Sequence, residues 1–377
     1  MGRGAMRWHG NRFDERWTFR RVKWPGMEEA EDYWQITGGK SSESQFKDLK
    51  ATGSIDFEGA EVPDDNDPVR VYYGFTNQWG ETWEGPVLTG FLELSKTERS
   101  GAGVSGSGSV SGMLCVAADT GPGAPLTVPE GTAAVEAAAG YLRALGLAVN
   151  AAPSAYRLAG AHTFDAQDTW LAIANWLLTA ANFGSATTDA WGTVQMQPYV
   201  EPTEREPTWT FRDDETAFFF PKVTTSDNRA DTPNVVRLWY EGDAAGLMAE
   251  ARNDDPRSPA GTVQRGREVL LCETVTELSG DTPAKMLQAL EELAAKRLAD
   301  NSTRIEYAEV QCLFVPAQVG ECGLLDYTRA GTTFTGGITA KDVDFGHGGE
   351  TTVTMRRLLR PDFKTTTSSK AVWTDEQ

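Results

Sequence analysis

Apolar and polar residues alternate along residues 191–202, which read Trp-Gly-Thr-Val-Gln-Met-Gln-Pro-Tyr-Val-Glu-Pro. Val194 and Met196 are apolar and their neighbours are Thr or Gln, a period of two that is typical of a strand with one buried face. Pro198 and Pro202 lack a backbone donor, so we expect this single strand to end there. Helical patterns precede the segment and mostly β patterns follow it, which predicts a boundary between two halves of the chain.

The residues from Trp17 to about Ser111 carry strand-like runs separated by turn residues. The runs are 17–22, 33–37, 49–57, 69–73 and 87–94, and the turn signals are Gly38-Gly39, 63–68, Gly80 and Gly85-Pro86. Several short strands at this spacing predict a small barrel or sandwich. The Gly/Ser-rich residues 101–112 are compatible with a flexible loop or with a glycine-rich barrel strand.

Two helices are predicted before the boundary segment, in a compact α+β region. Thr132 is a suitable N-cap for a helix that runs to about Leu145 and ends at Gly146. Asp165 is the expected N-cap of a second helix, over residues 166–183, in which apolar residues recur at helical spacing.

After the boundary, strand patterns return and are interrupted once. The interruption contains the clearest helix signal of the chain, with Thr282 as N-cap, Pro283 at the first position and apolar residues on one face up to Leu298. The second β region is therefore predicted to be split by an inserted strand and helix at about residues 241–302.

Composition and charge exclude several classes of protein. The 377 residues carry a net charge of −19, which opposes binding to nucleic acid. The basic run Arg16–Lys23 is interpreted as a solvated strand face. The four cysteines, at 115, 272, 312 and 322, have no metal or disulfide spacing and are expected to be reduced and buried. We expect no signal peptide and no membrane span, and hence a protein that is soluble when made.

Two sequence motifs resemble ligand sites but lack the context that those sites need. Residues 101–106 match the letters of a dinucleotide fingerprint, yet no helix can start in the Ser/Gly run that follows. The acidic run Asp64–Asp67 lacks the glycine and the later glutamate of a calcium loop, so a solvated hairpin turn is expected.

Catalytic and sugar-binding signals are equally weak. His9, His162 and His347 are far apart and none lies in a catalytic motif, and His347 is expected in an exposed turn. Scattered tryptophans are candidates for a sugar-binding cleft, although tryptophans in strands more often belong to cores or subunit interfaces. These tryptophans are Trp79, Trp83, Trp191, Trp209 and Trp239. We therefore predict no catalytic, cofactor-binding or metal-binding residues and no cofactor.

The motifs and their order resemble the baseplate-hub (tail-tip hub) family of tailed bacteriophages and related phage-tail-like particles. The element Val194–Pro202 resembles the family's strand followed by Pro-Tyr and a second proline. The other motifs, in chain order, are Ile36–Ser44 with Leu49–Asp56, Val69–Tyr73, Thr232–Val236, and Pro256–Pro259 followed by Gly266-Arg267. The resemblance covers roughly residues 17–360, and residues 101–131 depart from it by being richer in Gly, Ser and Ala.

The residue patterns predict a β-rich α+β fold with a compact α+β domain between two β regions and a small strand-helix domain inserted in the second, and the resemblance implies that the two β regions are small antiparallel β-barrels. The predicted domains are 1–112 (first barrel with a mobile N-terminal arm), 113–203 (α+β), 204–240 with 303–362 (second barrel), 241–302 (insertion) and 363–377 (polar tail). It also implies a homotrimer whose six barrels match a six-fold tail tube to a three-fold tip. We expect no room in the chain for an appended wall-degrading domain, so no lytic activity is carried over.

The leading hypothesis is a structural, non-enzymatic hub at the virion tail tip, assembled in the host bacterial cytoplasm. Its expected partners are further copies of itself, a tail tube or distal tail protein, a tape measure protein and tip, spike or fibre proteins, with DNA only as passing cargo and no stable membrane insertion. Two alternatives stay open: a tail-associated hydrolase of cell-wall peptide or glycan, and a carbohydrate-binding receptor module.

Overall fold

The structure is a computed structural model, and it describes residues 13–47, 49–101, 103–200, 205–213, 219–228, 230–242, 245–276, 278, 282–359 and 363–374. The predicted mobile arm therefore lies mostly outside the described residues, as does His9. The chain divides into two compact units, Met1–Thr224 with Glu309–Met355, and Thr225–Ala308 with Arg356–Gln377. The domain boundaries given by the sequence stay predictions.

The first β region supplies seven strands. They are β1 (Phe13–Lys23), β2 (Glu28–Asp32), β3 (Ile36–Ser44), β4 (Ala51–Gly59), β5 (Pro68–Asn77), β6 (Thr82–Ser100) and β7 (Gly103–Gly112). The Gly/Ser-rich run is thus a strand, and it lies between β4 and β6. Glycine is needed there because a Cβ on Gly106 would lie 2.0 Å from the carbonyl oxygen of Lys96.

The middle region contains short strands and three helices. They are α1 (Cys115–Ala118), β8 (Leu126–Val128), α2 (Ala134–Ala144), β9 (Val149–Ala151), β10 (His162–Phe164), α3 (Trp170–Ala180), β11 (Thr187–Thr188) and β12 (Val194–Met196). Both predicted helices exist, but they begin later than expected. Thr132 donates its hydroxyl to Pro129 O, and the side chain that caps α3 is that of Thr169, not Asp165.

The remaining elements follow residue 204. They are β13 (Trp209–Arg212), β14 (Phe219–Asp227), β15 (Val235–Gly242), β16 (Ala245–Asn253), α4 (Thr262–Arg265), β17 (Leu270–Val275), α5 (Pro283–Asn301), β18 (Arg304–Cys312), β19 (Cys322–Tyr327), β20 (Thr332–Asp344), β21 (Thr351–Leu359) and β22 (Thr365–Thr374). Helix α5 begins as predicted, with the Thr282 hydroxyl accepting from Lys285 N and proline at the first position.

In the first unit, the strands follow the order β20-β3-β4-β7-β6-β5-β1-β2, and all neighbours in this order are antiparallel. β20 also pairs with β19, which carries β13 in parallel. The pairing of Ala340 with Ser44 thereby joins strands that are about 300 residues apart in sequence into one sheet. The β-rich prediction is confirmed, but no sheet of the described strands closes into a barrel, so the two barrels are not confirmed.

Two buried clusters of described residues contribute to the core of this unit. Phe57, Val71 and Tyr73 belong to the cluster of the large sheet. A second cluster packs α2 and α3 over β12, whose Val194 and Met196 are fully buried. The alternation predicted for the boundary segment is therefore confirmed, because Gln195 between them is only partly buried.

The boundary segment is nevertheless not one long strand. β12 spans three residues, because the chain enters it from a turn at Gly192, where φ is +84°, and leaves it towards Pro198, which forms an isolated bridge with Phe183. Two predicted turns were also wrong. Gly38-Gly39 lies inside β3 and Gly85-Pro86 inside β6, each next to an irregularity in the strand pairing.

In the second unit, one helix covers a four-stranded sheet of order β17-β15-β16-β22. Leu290, Ala294 and Leu298 of α5 pack against apolar side chains of β15 and β16. The predicted polar tail, residues 363–377, contains a strand that the sequence did not indicate, because β22 pairs with β16 along residues 365–374. The polar sequence Thr-Thr-Thr-Ser-Ser-Lys gave no strand signal, since a strand at the edge of a sheet needs little apolar surface.

No helix among the described residues is both long enough and apolar enough to span a bilayer. The prediction that all cysteines are buried was partly wrong. Cys312 and Cys322 are buried and Cys115 is partly buried, whereas Cys272 is exposed on β17, a strand with only one neighbour among the described strands.

Candidate functional site

The first unit contains a cleft of about 1350 Å³, which we call the aromatic cleft. Its walls come from the turn between β3 and β4, the start of β6, the residues on both sides of β12, and residues 314–321. The boundary segment predicted from the sequence therefore lines this cleft.

Aromatic side chains line this cleft at its mouth and on its walls. Phe46, Trp191 and Tyr199 are exposed, with 51% of the Trp191 surface accessible. Trp83 packs against Phe314, with 5.3 Å between the ring centres. Exposed aromatic residues that converge on one cavity are a typical feature of binding surfaces.

A tight turn fixes the position of Trp191. The Asp189 carboxylate accepts hydrogen bonds from the backbone N–H groups of Trp191, at 3.0 Å, and Thr193, at 2.9 Å. Gly192 between them has a positive φ, and a Cβ there would lie 2.8 Å from Met113 Cγ. Sequence therefore dictates this turn locally, through an acidic residue and a glycine.

Arg70 on β5 holds the same turn from the sheet side. Its Nη2 atom donates to the carbonyl oxygen of Trp191 at 3.0 Å, and its guanidinium lies 5.1 Å from the centre of the Trp191 ring. Nε donates to the Thr89 hydroxyl at 3.0 Å, and that hydroxyl donates to Ala190 O at 2.7 Å. Because the Arg70 side chain is only 6% exposed, these contacts form a buried, oriented support for the ring.

Glu29 on β2 completes the network behind Trp191. It accepts from Arg70 Nη1 at 2.8 Å, from Arg20 Nη1 at 2.8 Å and from the Tyr72 hydroxyl. The hydrogen bond from Tyr72 and those from the two arginines lower the pKa of Glu29 to about 2. The carboxylate is therefore ionised throughout the physiological range, and it neutralises the charge of Arg70.

The charged side chains that line the aromatic cleft are all engaged within the chain. Buried Lys341 pairs with Glu43 at 3.0 Å and donates to Ala317 O at 2.8 Å, and Arg205 donates to two backbone carbonyls. The others, Lys50, Glu81, Asp189 and Glu321, each have a hydrogen-bond partner in the protein. The cleft therefore presents aromatic and polar groups, and its charged side chains are held by hydrogen bonds or, for Lys341 and Glu43, by an ion pair.

The basic run of β1 is neutralised by acidic neighbours. Arg20 pairs with Glu29 and Asp32, and Arg21 pairs with Glu31, Asp64 and Asp67. The acidic run 64–67 thus supplies partners to an arginine on β1. Among the described residues, no group of three or more His, Cys, Asp and Glu side chains has the geometry to hold a metal ion.

The two described histidines lie apart, each in contact with an aromatic ring. His162 stacks on Trp176, with 4.0 Å between ring centres. His347, exposed in a turn as predicted, contacts the Glu15 carboxylate, which also accepts from Gly348 N at 2.7 Å and Tyr73 Oη at 3.0 Å. These bonds tie the turn after β20 to β1, a structural arrangement. The run 101–106 belongs to β7 apart from its first residues, and it opens no helix.

The tryptophans singled out from the sequence separate into groups. Trp83 and Trp191 line the aromatic cleft, whereas exposed Trp79 does not. Trp209 is buried and donates its ring N–H to Glu321 at 2.8 Å. Trp239 lies on β15 in the second unit. Sequence reasoning did not identify Phe46, Tyr199 or Arg70 as members of the site. Arg70 could not be identified because only the fold brings β5 next to residue 191.

The fold defined by these elements is shared with tail proteins of known structure. A tail protein from Neisseria meningitidis MC58 is similar with a TM-score of 0.56 and 13% identity, over 91% of this chain and 96% of that one. The 43 kDa tail protein of prophage MuSo2 from Shewanella oneidensis is similar with a TM-score of 0.58 and 10% identity, over 91% of this chain and 98% of that one. The resemblance to phage tail proteins stated from sequence motifs is thus confirmed at the level of the fold.

A second group of similar structures comes from Francisella. A chain of its PdpA–VgrG complex matches with a TM-score of 0.54 and 8% identity, over 94% of this chain and 60% of that one. This chain therefore spans less than two thirds of that relative's length. No protein-family model and no curated protein matches the sequence.

Proposed function

We propose that this chain is a structural, non-enzymatic protein of a phage tail, the hub at the tail tip. The observation that carries the proposal is the extent of the fold similarity, which covers 91% of this chain and 96% and 98% of two tail proteins. A fold shared over nearly the whole length of both chains supports a shared role more strongly than a match of one domain. Function still belongs to sites and surfaces, so the role itself needs its own test.

The proposed assembly is a homotrimer with two β-barrels in each subunit. Six barrels in a ring require that the two β regions of one chain lie side by side, and the pairing of β3 with β20 supports this arrangement. Such a ring joins a six-fold tail tube to a three-fold tip. Its partners are a tube or distal tail protein, a tape measure protein and tip, spike or fibre proteins.

The ring leaves a channel through which DNA passes without being retained. The net charge of −19 supports this part of the proposal, because a negative wall repels phosphate groups. The pairing of Arg20 and Arg21 with carboxylates supports it as well, since the basic strand β1 offers no uncompensated cationic row. The proposed location is the tip of the virion tail, after assembly in the host cytoplasm.

The competing hydrolase hypothesis makes a prediction that separates it from the hub. A hydrolase clears host cell wall in a purified assay and loses that activity in His347→Ala or His162→Ala. We expect no clearing by the wild-type protein at any concentration tested. Clearing that depends on either histidine overturns the non-enzymatic part of the proposal.

Immunogold electron microscopy of particles tests the location. Antibody raised against the purified chain is expected to label one end of the tail only. Label along the whole tube, or its absence from particles that contain the chain by mass spectrometry, contradicts a role at the tip. Antibody adsorbed with purified protein is the control for non-specific label.

A further inference from the structure

We propose that the aromatic cleft binds a neutral oligosaccharide. This inference does not depend on the hub proposal, because it rests on the lining of one cavity in the first unit. Three features of the cleft favour this ligand: the charge of the lining, the aromatic surface and the neutral hydrogen-bonding groups.

The charge of the lining selects against ionic ligands. Each charged side chain in the cleft has a partner inside the protein, as Lys341 has in Glu43 and Arg205 has in the carbonyls of Gly320 and Val200. The lining contains four acidic and three basic residues, so it carries little net charge that would attract an ion of either sign. A neutral ligand needs no counter-charge, so charge complementarity favours it over an ionic one.

The aromatic surface matches the apolar faces of sugar rings. A pyranose presents a face of C–H groups that packs flat against an aromatic side chain, while its hydroxyl groups point outwards. Trp191 is exposed and held by Arg70 and by the turn at Asp189, so its ring loses little freedom when a ligand binds. Tyr72 contacts it edge-on, with 6.1 Å between the ring centres, and restricts it further.

Neutral polar side chains lie beside the aromatic residues. Thr82, Thr187, Ser185 and Gln318 line the cleft, and Gln197 lies two positions before Tyr199. Gln197 is exposed. Hydroxyl and amide groups can donate to and accept from sugar hydroxyls without adding charge.

The size of the cavity indicates a chain of several sugars. Small-molecule sites enclose roughly 300–1,000 Å³. The aromatic cleft, at about 1350 Å³, is larger than this range. Phe46 and Tyr199 are exposed and come from two separate stretches of the chain. They would contact different rings of one oligosaccharide.

Isothermal titration of the full-length protein tests the proposal. The probes are three hexasaccharides: the neutral N-acetylglucosamine and maltose-type hexamers and the anionic galacturonic acid hexamer. We expect at least one neutral hexamer to bind, and the anionic hexamer to bind roughly tenfold more weakly than it or not at all.

Variants locate the binding in the cleft. Trp191→Ala is expected to weaken binding by roughly tenfold or more, and Tyr199→Ala and Gln197→Ala by a smaller factor. Trp34→Ala is the matched control, since Trp34 is 67% exposed and lies outside the cleft, and binding should stay within about twofold of the wild type. Circular dichroism checks that each variant is folded. If Trp191→Ala does not fold, the test rests on Tyr199→Ala.

Two results overturn the proposal. One is the absence of binding by both neutral hexamers at ligand concentrations up to about 10 mM, which would detect even millimolar affinity. The other is equal affinity of the wild type, Trp191→Ala and Tyr199→Ala. If no sugar binds and the same two variants lower the oligomeric mass in light scattering, the cleft belongs to a protein interface.

Discussion

The guanidinium of Arg70 lies 5.1 Å from the centre of the Trp191 ring and donates a 3.0 Å hydrogen bond to the carbonyl oxygen of the same residue. The two residues are 121 positions apart, on a strand of the large sheet and in the turn before β12. This pair therefore links the sheet to the helical region within the first unit, and it supports the ring that stands at the mouth of the aromatic cleft.

Replacing Arg70 by alanine is expected to lower the free energy of unfolding by about 2–3 kcal/mol, because it leaves Glu29 and the Trp191 carbonyl without their partner. Arg70→Lys should lower the free energy of unfolding by a smaller amount, since lysine cannot reproduce the forked contacts of the guanidinium. Urea denaturation measures both. Arg16→Ala, which removes an exposed pair with Glu84, is the control and should cost below about 0.5 kcal/mol. Equal effects of Arg70→Ala and Arg16→Ala would refute this role.

The low pKa of Glu29 predicts a pH dependence. A carboxyl whose pKa is about 2 in the folded protein and 4.5 without the fold stabilises the native state fully above pH 4.5, and this contribution is lost as the pH falls from 4.5 towards 2. The stability difference between wild type and Glu29→Gln should be constant from pH 7 to 5 and shrink below. Glu28→Gln, exposed on the same strand, controls for the loss of one charge. A difference that does not vary with pH would be inconsistent with this assignment.

Two glycines should respond oppositely to alanine. A Cβ at Gly106 would lie 2.0 Å from Lys96 O and 2.6 Å from the Phe57 ring, so Gly106→Ala should cost about 2 kcal/mol or more. Gly140, exposed within α2, has open space around it, and Gly140→Ala should stabilise by about 0.5–1 kcal/mol. Thermal denaturation monitored by circular dichroism compares them. A neutral Gly106→Ala would argue against the pairing of β7 between β4 and β6.

The thiols should differ in reactivity. Cys272 is exposed, whereas burial raises the pKa of Cys115 to about 11 and also raises the pKa values of Cys312 and Cys322. Ellman's reagent at pH 8 is expected to modify one thiol rapidly, because the thiolate is the reactive form. Cys272→Ser should abolish the fast phase, and Cys115→Ser should leave it intact. Two or more fast thiols in the native wild type would contradict the described burial.

Local signals in the sequence predicted the elements with strong periodicity. Helix α5 begins at Pro283 after Thr282, and Val194 and Met196 are buried as their alternation indicated. Positions that depend on distant partners were not predictable. The glycine pair in β3 resembles a turn, but Gly39 is needed because a Cβ there would lie 2.1 Å from Ser54 O on the neighbouring strand.

The candidate site was only partly accessible to sequence reasoning. Its tryptophans, Trp83 and Trp191, attract notice by residue type alone. Arg70 carries no such signal, since one arginine in the strand Val69–Tyr73 looks like any solvent-facing residue. Its burial results from Glu29 and Thr89, which the fold brings to it from two other strands.

The central claim is a trimeric ring, and electron microscopy of the purified protein tests it most directly. The proposal predicts particles with three-fold symmetry around a central channel, with a mass by light scattering of three times 41.0 kDa. A stable 41.0 kDa monomer at high concentration, or particles without a three-fold axis, would contradict it.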